Sequence, residues 1–419
     1  MAVAPPDDDA VLAAVAAGRE EMEALLEDLV RARTLLGAEA SGQDVMRRAF
    51  AALGLDPVDV PLDPAALRAS EAASPFSWDV EGKASLTAGW RGTGGGRSLI
   101  LNGHVDVVSP EPAVLWSSDP FAPRRDGAWM YGRGAGDMKA GLAAIVAAVA
   151  GLKRLGFAPR GEVELQSVVE EECTGNGAAA CVLTGRRADA AVITEPTGGA
   201  IWNAQVGVLW FSVRVAGRPA HAGEAASGDN AIEAMYPLIA ALRDLEAELN
   251  VSPPPPFAEH RHPINLNVGT IRGGDWPSTV AGECVTEMRL AMYPGEDVAG
   301  LRRRVEETVA AAAKADAFLS RCTVEVGYDG FACEGYVLDS DPVIDAVGDA
   351  AARVYGAAPT LFASTATTDA RTFHLYGGTP AICFGPNAEN IHSVDERVHL
   401  PSVLQTAQAL ALFVRDWSG

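Results

Sequence analysis

The sequence predicts an α/β fold: a mostly parallel mixed sheet flanked by helices forms one domain, and an inserted α+β, ferredoxin-like segment forms a second. Three observations carry that expectation. Short apolar runs of strand length alternate with helical-period stretches before residue 208 and again near the C-terminus, the pattern of a sheet covered by helices. Several of those runs end in His, Asp or Glu, and open α/β sheets carry their sites beyond the carboxyl ends of strands. Between residues 208 and 326 the order becomes strand, helix, strand, strand, helix, strand, the split βαβ pattern. The expected layout is therefore residues 1–207 with 327–419 as the larger domain and 208–326 as the insertion.

Each element has a local reason. Over residues 11–36 apolar positions recur at helical spacing around Glu20, Glu21, Glu23 and Glu27, which predicts an amphipathic helix. A segment rich in Pro, Ala and Asp, residues 56–75, leads to strands at 83–90 and 98–104, the second delivering His104 at its end. A glycine-rich loop at 131–137 feeds a helix over 139–155 that stops at Gly156. A strand at 163–169 ends in Glu170, Glu171 and Glu172, followed by a turn at 173–177, and a strand at 190–194 ends at Glu195. The insertion reads as strands at 209–215, 265–271, 283–292 and 322–326 with helices over 230–249 and 296–315 and a Pro-rich break at 251–257. A helix over 342–354, a strand at 379–384 and a helix over 402–417 complete the chain.

Composition narrows the function. Of 419 residues 48% are hydrophobic and 21% charged, enough for a sizeable core and far from the signature of disorder. Against 33 Lys and Arg stand 55 Asp and Glu, and a net charge of −22 repels phosphate backbones and anionic membranes, so neither nucleic acid nor membrane is an expected partner. Residues 1–9 are Pro-rich and acidic without the basic and apolar regions of an export signal, and the apolar run 140–152 falls short of the roughly 20 residues that span a bilayer. Six scattered cysteines without a CxxC pair read as reduced thiols of a cytoplasmic protein.

The candidate chemistry lies at the strand ends. His104 and Asp106 form an H-x-D triplet that means little alone. It gains weight because Asp137, Glu171, Glu172 and Glu195 follow at later strand ends, and His392 comes near the C-terminus. A mixed set of two His and several carboxylates suits zinc, cobalt or manganese and leaves coordination positions for water. Carboxylates converging at strand ends repel one another unless cations neutralise them, so a metal answers the pattern better than a solvated acidic face does.

GHVDVV at 103–108, GRGAGDMKAG at 132–141, EEECTGNG at 170–177, TEPT at 194–197, GRPAHAG at 217–223 and GPNAENIHSVDE at 385–396 occur in that order. With these motifs the sequence resembles the M20 metallopeptidases and deacylases, in particular the acetylornithine deacetylase and succinyl-diaminopimelate desuccinylase branch. The resemblance implies a catalytic domain with an inserted lid and dimerisation domain, and two divalent metal ions per subunit, zinc foremost with cobalt or manganese as alternatives. His104 and Glu195 would hold the first ion and Glu172 and His392 the second, with Asp137 bridging. It implies Asp106 as the carboxylate that orients His104, Glu171 as general base for a metal-bridging water, and His221 as an oxyanion donor reaching the partner subunit of a homodimer. Arg289 would pair with a substrate carboxylate. Where the family carries Asn followed by Pro, this chain has Gly273-Gly-Asp-Trp276-Pro-Ser278, which offers Trp276 and Ser278 as substrate contacts, Trp276 by stacking; Arg371 is a further substrate contact.

The expected activity is hydrolysis of the amide of an N-acyl amino acid or related small amide. The alternatives are a dipeptidase or carboxypeptidase, a deacylase or deaminase of an aromatic or pyrimidine-like compound, and, in another class, a non-catalytic metal-stabilised binding protein, against which the retained Glu171 argues.

Overall fold

The computed structural model describes residues 5–419, so Met1–Ala4, the start of the segment read above for an export signal, lie outside the described residues. In order across the larger sheet the strands are Val58–Pro61, Ala84–Trp90, Val163–Val168, Leu99–His104, Ala191–Ile193, Ala381–Cys383, Ile201–Gln205 and Tyr336–Val337, with Leu361–Ser364 pairing alongside Ile201–Gln205. The four central strands, from Val163–Val168 to Ala381–Cys383, run parallel. Parallel neighbours end on the same side, so the residues that follow each of them meet at one edge.

The α/β architecture is as expected. The helix Ala140–Arg154 is buried along most of its length and packs beside Leu400–Ser418 in the core. By length and composition alone residues 135–154 suffice to cross a membrane, but here they lie inside the protein.

Differences from the expected elements have local causes. The predicted helix at 11–36 is two, Asp8–Ala16 and Arg19–Arg31, broken at Ala17-Gly18. A helix at Ala40–Ala52 escaped the pattern because its buried face includes Gly42 and Gln43; the Gln43 amide donates to the Ser167 carbonyl at 2.8 Å. The turn expected at 173–177 runs directly into a helix, Asn176–Leu183, whose residues through Val182 are buried and mostly small. A further small sheet pairs Ala388–Glu389, Arg397–His399, Trp129–Tyr131 and Arg124–Asp126. Its strands carry both loops: Trp129–Tyr131 leads into the one with Asp137, and Ala388–Glu389 and Arg397–His399 bracket the one with His392. All six cysteines are free, and all but Cys322 are buried.

The second sheet has the order Leu266–Gly273, Glu283–Met292, Gly207–Ala216, Thr323–Gly327, antiparallel throughout. Its helices Ala231–Leu249 and Val298–Ala315 are capped by Asn230, which accepts the Ile232 N–H at 3.0 Å, and by Asp297, which accepts the Gly300 N–H at 2.5 Å. Such caps contribute about 1 kcal/mol each. The sheet and helices enclose a core of their own around Leu209, Phe211, Leu238, Leu242, Leu290 and Val305. The chain passes between the two bodies at 205–207 and again at 333–336, and the passages lie side by side: Tyr336 pairs with Gln205 and Cys333 with Val208. Gly207 and Gly335 permit this approach, since a Cβ on Gly335 would stand 2.5 Å from the Gln205 carbonyl oxygen.

Candidate active site

His104 ends its strand and is 1% exposed. Its Nδ1 lies 2.9 Å from the main-chain carbonyl of Asp106, which makes Nδ1 a donor and turns Nε2 toward the cleft. That carbonyl, rather than the Asp106 carboxylate 3.7 Å away, fixes the tautomer. The carboxylate of Asp106 instead accepts the main-chain N–H groups of Glu171 at 3.2 Å and Glu172 at 3.0 Å. Asp106 therefore ties the His104 strand to the segment that carries both acids.

Asp137 lies between the two histidines. One carboxylate oxygen is 3.3 Å from His104 Nε2 and the other 3.3 Å from His392 Nε2. Glu172 approaches His392 Nε2 at 3.0 Å, and Glu171 approaches His104 Nε2 at 3.8 Å. Two sets of ligand atoms lie within 4.8 Å of one another: His104, Glu171 and Glu195, and His104, Asp137 and Glu172. The structure thus gathers His104, Asp137, Glu171, Glu172, Glu195 and His392 at the carboxyl edge of the parallel strands.

Electrostatics show what this cluster lacks. Burial, then the neighbouring carboxylates, push Glu171 and Glu195 well above the usual carboxyl range and Glu172 above it, despite the pull of the histidines. Burial disfavours the cationic form of both histidines. The hydrogen bond with Asp137 and the charges of Asp106, Glu171 and Glu195 outweigh it for His104, which is raised well above its ordinary value. For His392 the Glu172 charge and Asp137 outweigh it, raising it to about 11. Burial acts upward on Asp137 too, but the two histidines overcome it and hold its carboxyl below the usual range. At hydrogen-bonding distance His104 Nε2 meets only the Asp137 carboxylate, at 3.3 Å, and Glu195 Oε1 is buried without a hydrogen-bond partner. A site that must retain protons to balance crowded acids, and that leaves a buried carboxylate oxygen unmatched, fits divalent cations bound by N and O donors, which would take the place of those protons.

The support around the cluster was less legible. Glu170 turns away from the cleft, in a left-handed conformation with φ 61°. Its carboxylate accepts Lys83 Nζ at 2.7 Å, the Trp78 indole N–H at 2.8 Å and the Thr174 hydroxyl at 3.0 Å. It anchors the turn that presents Glu171. Glu396, fully buried, accepts Arg133 at 2.6 Å and the main-chain N–H groups of Gly134, Gly136 and Asp137. Its place in the 385–396 motif was the only sequence signal. Asp369, 1% exposed, has no hydrogen-bond partner on either oxygen, and burial pushes it up to about 7 against the pull of Arg371.

A cavity of about 970 Å³ opens beside Glu171, Glu172 and His392 and is lined further by Trp78, Trp210, Arg289, Phe331, Asn265, Asn267 and Thr367. Among the predicted substrate contacts Arg289 lines it. The others do not. Arg371 is 1% exposed, donating to the Thr174 carbonyl at 3.2 Å and standing over the Phe331 ring. Trp276, 67% exposed, and Ser278 sit on the far tip of the second body next to His221, whose Nδ1 accepts the Gly223 N–H at 3.0 Å. Local pattern gave those residues their chemistry but not the path of their loops.

A family model described as peptidase family M20/M25/M40 matches residues 100–416. The N-formyl-4-amino-5-aminomethyl-2-methylpyrimidine deformylase of Halalkalibacterium halodurans is 30% identical over 343 residues, 77% of this chain and 79% of that protein. The succinyl-diaminopimelate desuccinylase of Paracoccus denitrificans is 29% identical over 340 residues, 79% of this chain and 85% of that protein. In fold the chain is similar to the di-peptidase Dug1p of Saccharomyces cerevisiae, with a TM-score of 0.81 at 14% identity over 98% of each chain. The chain belongs to the M20/M25/M40 peptidase family and is a hydrolase acting on amide bonds.

Proposed function

We propose that the protein is a dinuclear metal-dependent deacylase that cleaves the amide of an N-acyl amino acid or similar small amide. The observation that carries this reading is the seat of Asp137, whose two carboxylate oxygens each lie 3.3 Å from a different histidine, His104 at the end of its strand and His392 in the loop between Ala388–Glu389 and Arg397–His399. His104 with Glu195 and His392 with Glu172 complete two donor sets around it. Divalent cations bound there supply Lewis-acid polarisation of the scissile carbonyl and acidify the attacking water.

The chain's own residues do the rest. Glu171 takes the water proton on its carboxylate as the C–O bond forms, and returns it to the amine nitrogen as the C–N bond breaks, leaving a carboxylate and a free amine. A carboxylate that must both take and return a proton needs a raised pKa, and burial acts in that direction on Glu171. Asp106 holds the Glu171 main chain, so the carboxylate is preset rather than recruited. Arg289 takes the substrate carboxylate. His221 lies outside the cavity of its own chain, which supports a homodimer in which it supplies the oxyanion hydrogen bond to the partner.

The experiment is hydrolysis of N-formyl, N-acetyl and N-succinyl amino acids and of dipeptides by protein reconstituted with zinc, cobalt or manganese. Chelator-sensitive release of amine from an N-acyl member supports the reading. Turnover of dipeptides alone replaces it with a peptidase, and no turnover with two metals bound ends it.

A further inference from the structure

The cavity beside Glu171 is far larger than a short acyl group needs, and what lines it is selective. Trp210 and Phe331 meet edge to face with ring centroids 5.5 Å apart, and the Trp210 main-chain N–H donates to the Phe331 carbonyl at 2.6 Å. Gly330, at φ 82°, leaves room for the indole where any side chain would collide with it. The segment holding Phe331 is stitched to residues 74–77: the Gly330 N–H donates to the Pro75 carbonyl at 2.9 Å, the Ala332 N–H to the Ser74 hydroxyl at 3.2 Å, and Ser77 to Asp329. Trp78 follows directly, its indole N–H committed to Glu170. Three aromatic side chains of the cavity wall are thus held by one connected hydrogen-bond network, and the Trp210 indole N–H is buried with no partner.

Charge completes the selection. Arg289 is the cross-strand neighbour of Trp210. It makes no ion pair or hydrogen bond among the described residues, and burial holds its guanidinium below the usual range. The other charged side chains along that wall are acidic: Glu287 is engaged by Thr270 at 2.5 Å and Arg272 at 3.4 Å, and Asp329 by Ser77. One cation is therefore free for one anionic group, and a second carboxylate on the substrate would meet acids.

Resting on the amidohydrolase reading above, we propose that the amine half of the substrate carries a planar aromatic ring and a single carboxylate, the ring packing on Trp210 and Phe331 and the carboxylate on Arg289. Trp276, the aromatic residue that the sequence suggested for stacking, has no part in this.

The test is a matched series at fixed acyl group with the metal-loaded enzyme: N-acetyl-phenylalanine and N-acetyl-tryptophan against N-acetyl-leucine, N-acetyl-glutamate and N-acetyl-phenethylamine, the last lacking the carboxylate. Aromatic packing of this kind predicts kcat/KM for the aromatic amino acids about tenfold above leucine, carried in KM, with glutamate and phenethylamine both poorer. In Trp210→Leu the aromatic-to-leucine ratio falls toward one. The wild-type ranking alone decides the matter should that variant fold poorly. Leucine or glutamate as the best member, or a ratio unmoved in a folded Trp210→Leu protein, overturns the proposal while the deacylase reading stands; no hydrolysis of any member of the series, whether its fixed acyl group is acetyl, formyl or succinyl, overturns both.

Discussion

The Glu396 carboxylate accepts the main-chain N–H of Asp137 at 3.0 Å, so the acid between the two histidines is positioned by a residue that follows it by 259 positions. The same carboxylate accepts the Gly134 and Gly136 N–H groups and faces the buried Arg133 guanidinium. It shapes the loop as a template would.

Removing that template leaves Arg133 buried without its counter-ion. Glu396→Ala is expected to lower unfolding free energy by about 3–5 kcal/mol, the usual cost of breaking a buried pair from one side. Denaturant titration at constant m-value measures it, and a loss below about 1 kcal/mol, the range of exposed pairs, would show that the loop holds its shape unaided.

Glu171→Gln keeps the shape of the side chain and spares the donors proposed above, His104 with Glu195, Glu172 with His392, and Asp137 between them. It should bind metal as the wild type does and lose about 10²–10⁴-fold in kcat, the typical contribution of a positioned general base. Single-turnover rates with the metal content determined in the same sample check it. An enzyme of wild-type rate removes Glu171 from the mechanism.

Metal stoichiometry separates the ligands. Asp137→Ala removes an acid placed against both histidines and should reduce occupancy at both positions, whereas His392→Ala should leave one ion bound. Elemental analysis after dialysis against a weak chelator reads the difference. Equal, full occupancy in both variants contradicts the assigned sets.

Asp369 gives a pH signature. Burial pushes its folded carboxyl up to about 7, against about 3.9 in an unfolded chain. Between those values the folded state keeps a proton that the unfolded chain has released, so this group's contribution to stability is greatest near pH 4 and is lost as pH rises toward 7. In the metal-free protein Asp369→Asn should therefore be stabilising at pH 7.5 relative to the wild type and less so at pH 4.5. Melting temperatures at the two pH values test this, and an identical shift at both assigns the carboxyl an ordinary pKa.

The strand ends were legible because chemistry and periodicity coincide there: an apolar run that stops at His104, at Glu170 or just before Glu195 announces both a strand and what it delivers. What stayed hidden was the path of the chain between such points. Nothing local distinguishes Glu170, bound to Lys83 and Trp78, from Glu171 beside it; only the left-handed turn at Glu170 sends the two carboxylates in different directions. Trp276 and Trp210 are equally aromatic in the sequence, yet one crowns an exposed loop and the other faces the cavity from a strand in register with Arg289. The helix Ala40–Ala52 buries Gly42 and Gln43 beside Val45, Met46 and Phe50, which interrupts the apolar stripe that would have announced it.

Because the passages at 205–207 and 333–336 lie against each other, both chain crossings between the bodies share one place. A pair of adjacent pivots behaves as a single hinge pin. Rotation about it would displace Trp210, on the strand that leaves it, and Arg289, paired with Trp210 on the neighbouring strand, less than the remote tip bearing His221 and Trp276, because displacement grows with distance from the pin. Reach would thus be concentrated at a tip whose His221 and Trp276 are exposed, while the aromatic wall beside the crossings would shift least.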